Sequence, residues 1–151
     1  MIVVVGSVNS DLVVHVEHHP APGETVLGWG HETMPGGKGA NQAVAGARLG
    51  SDVVFVGRVG GDEVGHTLVA ELASEGIDAN HVLVDEETPS GLAFITVDDA
   101  GENSIVVSPG ANSRVSAADV DRASAVLLTA TVTLLQLEIP LEAVTAAAEA
   151  S

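Results

Sequence analysis

The sequence predicts an α/β fold: a parallel sheet flanked by helices, with a small second β-sheet set over one end as a lid. Three observations carry this. Ile2-Val3-Val4-Val5-Gly6 is a continuous β-branched run of the kind that parallel strands, buried on both faces, require. Strand and helix patterns then alternate, with a helix over 40–49, a strand over 51–57 and a helix from 62 to about 75, and this alternation implies right-handed crossovers. Finally, 91–97 and 103–107 flank Asp98-Asp99-Ala100-Gly101-Glu102, a hairpin pattern that fits poorly in the middle of a parallel sheet. Together with strand segments near 12–17 and 24–33, it is expected to form the lid.

Composition sets the outer bounds. A chain of 151 residues with 46% hydrophobic content fits one globular domain. With no cysteine, disulfides and thiolate metal sites are excluded. The 21 acidic residues stand against five basic ones, and a net charge of −16 argues against nucleic acid or an anionic membrane as partner, since both need clustered Lys and Arg. The N-terminus has no basic region and too short an apolar run for a signal peptide or membrane helix, so a cytoplasmic location is expected. An acidic, lysine-poor surface also suits a high-salt interior, where screening removes self-repulsion.

The elements follow in order. Beyond the carboxyl end of the first strand, where open α/β sheets bind ligands, stands Ser7-Val8-Asn9-Ser10-Asp11. Asn9 and Asp11 face one way if the segment is extended and offer an amide and a carboxylate to one ligand; the alternative is an Asx turn closing the strand. His18-His19-Pro20 breaks the strand at 12–17. The spacing of His15, His18 and His19 fits no structural zinc pattern, so they are expected to be solvated loop residues rather than metal ligands.

Pro35-Gly36-Gly37-Lys38-Gly39-Ala40-Asn41-Gln42-Ala43 places three glycines around the only lysine of the chain and opens a helix. The free N–H groups of a helix N-terminus suit an anion or a hydroxyl-rich ligand, and Lys38 and Asn41 sit where it would lie. The plainer reading is a glycine turn with a solvated lysine. It is no Walker A loop, because Gly39 and Glu32 stand where that pattern needs a hydroxyl residue and a glycine.

Asp62 is placed to cap the next helix, with Leu68, Val69 and Leu72 on its apolar stripe and Gly76 at its end. A turn at 108–112 leads to a helix over 116–128, capped by Ser116 with Asp119 three residues on. A buried strand is predicted over 132–137. Glu138 at its carboxyl end either joins Asn9, Asp11 and Lys38 at one sheet edge or caps the helix starting near Pro140. That helix, 141–151, has no C-cap glycine, basic last turn or following strand, from which the chain is expected to be the front part of a longer α/β protein.

Gly6-Ser7-Val8-Asn9-Ser10-Asp11, the Gly-Gly-Lys-Gly-Ala-Asn-Gln stretch at 36–42, Val59-Gly60-Gly61-Asp62 with Gly65, and Gln136-Leu137-Glu138 with Pro140 resemble the ribokinase branch of the PfkB sugar-kinase family, from Val3 to the last residue. The resemblance implies a Rossmann-like parallel sheet with a β lid, truncated because the nucleotide-binding half is absent. It implies transfer of the γ-phosphate of ATP to the 5-hydroxyl of D-ribose, with Mg2+ and a monovalent cation (K+) in the complete enzyme, and a homodimer joined through the lid.

Carried over by position, Asn9, Ser10, Asp11, Gly36, Gly37, Lys38, Gly39, Ala40, Asn41 and Glu138 hold the sugar. The family's aspartate base and its glycine-rich anion hole have no counterpart, so the chain alone is expected to be inactive. A kinase for another sugar or a nucleoside, a non-catalytic sugar-binding module, and a gene fragment remain as alternatives.

Overall fold

A computed structural model describes residues 1–151. β1 (Ile2–Val5) lies parallel to β4 (Val53–Gly60) on one side and β8 (Val132–Leu135) on the other, and β5 (Asp78–Asp85) completes a sheet ordered β5-β4-β1-β8. Because side chains alternate across a strand, the apolar run of β1 feeds two cores. Val3 and Val5 pack with Val54, Val56, Val120 and Leu127 under α3 (Ala117–Arg122), α4 (Ser124–Leu127) and α5 (Leu141–Glu149). Val4 packs with Phe55, Val59, Leu68 and Leu72 under α1 (Lys38–Arg48) and α2 (Glu63–Ser74).

The second sheet runs β3 (Gly28–Gly36), β2 (Asn9–Val16), β6 (Gly91–Val97), β7 (Asn103–Ser108). β2 is antiparallel to β3 but parallel to β6, and β6–β7 is the expected hairpin. The sheet is therefore mixed. Asp98 closes the hairpin turn by accepting from Ala100 N–H at 2.9 Å and Glu102 N–H at 3.0 Å.

Several boundaries differ from the sequence pattern. β2 begins at Asn9 and β3 reaches Gly36, so Asn9, Ser10 and Asp11 lie inside a paired strand and the glycine stretch runs from the end of β3 straight into α1. β4 extends through Arg58, whose guanidinium donates to buried Asp119 at 2.8 and 2.9 Å and to Asp85 at 3.2 Å. β8 ends at Leu135, and the helix expected over 116–128 breaks at Ala123.

β5 has no clear signal, because Asn80 and His81 interrupt its alternation and it sits at the sheet edge. The histidines are not simply solvated. His15 lies in β2, and half-buried His19 holds Thr96 Oγ1 at 2.9 Å, tying the β2–β3 connection to β6.

The expected caps form. Asp62 Oδ1 accepts from Gly65 N–H at 2.7 Å, and Ser116 and Asp119 make a reciprocal capping box. Asp62 also accepts from the Ser90 hydroxyl at 2.6 Å, pinning the start of α2 to the segment that leads into β6.

Candidate functional site

The carboxyl end of β1 meets the amino end of α1 with unusually little space between them. A Cβ on Gly39 would stand 2.7 Å from both Ser7 N and Ser7 O, and Gly37 holds φ +91 as the residue preceding α1. This approach lets Ala40 N–H donate to Ser7 O at 2.9 Å, which ties the end of the first strand to the start of α1.

Glu138 sits against that junction. Its Oε2 accepts from the Ser7 hydroxyl at 2.8 Å and from Lys38 N–H at 3.0 Å, while Lys38 Nζ lies 3.2 Å from Oε1. Glu138 therefore serves the N-terminus of α1 rather than the helix after Pro140, whose first turn it does not cap. The exposed Lys38 ammonium contributes little by itself. Burial would raise the Glu138 pKa, but the bonds from Lys38 N–H, the Ser7 hydroxyl and the Lys38 ammonium outweigh it and hold the carboxyl below its ordinary value.

Asp11 is the opposite case. Its Oδ1 is buried and has no hydrogen-bond partner, and burial, aided by the nearby Glu138 charge, raises its pKa. Gly36, the cross-strand partner of Asn9 and so the diagonal neighbour of Asp11, leaves no room for a Cβ beside this carboxylate.

Asn9, Asp11, Gly37, Lys38, Asn41 and Glu138 line one small cleft of about 140 Å³, walled on the lid side by Ala93, Ile95, Ile105 and Val107. Of the remaining residues singled out by sequence, Ser10 points to the other face of β2, toward α2. Gly36 backs Asp11, and Gly39 and Ala40 form the strand–helix junction, with Ala40 in the core. Sequence reasoning did not single out Ser7 or the lid's apolar residues. The alternation of β6 and β7 carried the signal for the latter, since residues two apart share a face.

Chemically the cleft combines two carboxylates, two amides and an ammonium with aliphatic walls. That mixture of acceptors and donors matches adjacent hydroxyls, each of which must both give and take a hydrogen bond. No group of three or more His, Asp or Glu side chains is arranged to hold a metal ion. No helix is long and apolar enough to cross a membrane.

Fold and cleft together define an α/β chain of the carbohydrate-kinase class. The family model for pfkB family carbohydrate kinases matches residues 1–151, and the chain belongs to that family. Ribokinase of Haemophilus influenzae is 44% identical over 146 residues, which are 97% of this chain and 48% of that protein. A deoxyribokinase of Salmonella typhi is 40% identical over 143 residues, 95% of this chain and 47% of that one. Among solved structures, Arabidopsis thaliana ribokinase complexed with ribose and ATP superposes with a TM-score of 0.79 at 35% identity, covering 99% of this chain and 50% of that one. The chain thus spans about half the length of the relatives it matches.

Proposed function

We propose that this chain is the sugar-binding half of an ATP-dependent ribose kinase, with Asn9, Asp11, Lys38, Asn41 and Glu138 holding the ribose hydroxyls and the β2-β3-β6-β7 sheet acting as lid. The observation that carries this is the buried, partnerless Oδ1 of Asp11 in a cleft that also presents Asn9, Lys38, Asn41 and Glu138. A buried acceptor without a donor is costly, and a ligand hydroxyl supplies what is missing. Fluorine or hydrogen in place of that hydroxyl would restore the deficit, which is how such a cleft discriminates.

The nucleotide, Mg2+ and K+ belong to residues outside this chain, as does the base that deprotonates the attacking hydroxyl. Glu138 is unsuited to that role, since its three partners favour the charged, weakly basic form. The chain alone does not turn over ATP in response to ribose, and a homodimer forms through the lid.

Isothermal titration of D-ribose into the purified chain in high salt tests the reading, with Asp11→Ala and Lys38→Ala as controls and fructose as competitor. Saturable binding weakened roughly 10- to 100-fold by Asp11→Ala is expected, the cost of losing one charged hydrogen-bond partner. No heat from a folded chain overturns the sugar site, and ribose-dependent ATP turnover overturns the claim of inactivity. The 40% identical deoxyribokinase supports a second reading, in which 2-deoxyribose binds as tightly as ribose.

A further inference from the structure

Asn112 stands outside the cleft, yet it determines what the cleft presents. It is 1% exposed, on a 3-10 turn (Gly110–Arg114) anchored by Ala111 N–H donating to Pro89 O at 2.8 Å. Val8 N–H donates to Asn112 Oδ1 at 2.9 Å, and Asn112 Nδ2 donates to Val8 O at 3.0 Å and to Asn9 Oδ1 at 2.8 Å.

The direction of this chain is fixed by the backbone. Val8 N–H can only donate, so the amide end beside it must be oxygen; the other end is then NH2. One of its hydrogens satisfies Val8 O, and the second forces Asn9 to turn its own oxygen toward Asn112. Gly91 leaves room for the contact, because a Cβ there would strike both amides. Asn9 Nδ2, which donates to no protein acceptor, is left to the cleft.

We propose that Asn112 is a specificity-positioning residue that fixes the hydrogen-bond polarity of the cleft: a donor at Asn9 and an acceptor at Asp11, two residues along the same face of β2. A ligand must then place an accepting oxygen against Asn9 and a donating hydroxyl against Asp11. This rests on the sugar-binding reading and adds a direction to it.

The test is titration of the full chain with D-ribose and with ribose analogues in which one hydroxyl at a time is replaced by fluorine, which can accept but not donate. The wild type is expected to tolerate fluorine at one position, the one facing Asn9, and to lose binding at the position facing Asp11. In Asn112→Asp the side chain cannot donate to Asn9, whose amide turns over and offers oxygen to the cleft. The tolerated analogue should then weaken about tenfold or more relative to ribose.

Asn9→Asp leaves the core amide in place and presents only an acceptor. It should reverse the same preference even if Asn112→Asp does not fold. Failure of ribose to bind the wild type overturns the sugar reading and this inference with it. Ribose binding with an unchanged analogue ratio in Asn9→Asp, or in a folded Asn112→Asp, overturns the inference alone.

Discussion

Asp11 and Glu138 share one cleft but are pushed in opposite directions, and the difference separates binding from stability. Glu138 has a folded pKa below its ordinary 4.5, so its contribution to stability is present above that value and lost as pH falls through the folded pKa. Asp62 and Asp119 are likewise lowered from 3.8: burial would raise them, but bonds from Ser90 and Gly65, and from Arg58 and Ser116, outweigh it. Asp11 is raised above 3.8, so its ionised form is disfavoured by folding and it takes up a proton before Asp62 and Asp119 do as pH falls. Ribose affinity is therefore expected to fall on acidification before the fold does. Calorimetry and circular dichroism across the same pH series check this, and a single coincident transition would contradict it.

Within one element, the same substitution should act with opposite signs. Gly39→Ala puts a Cβ against the Ser7 backbone, which can yield only if β1 and α1 separate, and overpacking of this kind costs about 1–3 kcal/mol. In the same helix, Gly46→Ala meets only the side chains of Val53 and Ile2, at 3.3 and 3.5 Å, and gains helix propensity of up to about 1 kcal/mol. Urea midpoints should move down for the first and stay level or rise for the second. The glycine loop was legible because its residue types are so constrained. The break at Ala123 was not, since the residues around it are good helix formers and tertiary packing decides the matter.

For the whole molecule, charge and exposed apolar surface pull in different directions. A net charge of −16 on 151 residues sets up self-repulsion that molar KCl screens, so the thermal midpoint should rise between low salt and molar KCl. A flat or falling midpoint would remove the high-salt interpretation. Val106 on β7 is 67% exposed, and Leu128 and Leu137 beside β8 are 75% and 78% exposed. Surface of this kind is where assembly begins. It lies along one edge of each sheet, β7 of the lid and β8 of the parallel sheet.

What the sequence determined by itself was local: the buried first strand, the helix-opening glycines around Lys38, the caps at Asp62 and Ser116, the hairpin, and the shared face of Asn9 and Asp11. Each follows from periodicity or from a backbone geometry that few residue types tolerate. Tertiary structure alone decided the rest. It made Asn9 and Asp11 part of a mixed sheet, turned Glu138 to the start of α1, left Asp11 Oδ1 without a donor, and carried Asn112 across 104 residues to Val8. Those outcomes depend on which polar groups meet when distant segments pack, and no local pattern in the chain encodes such partners.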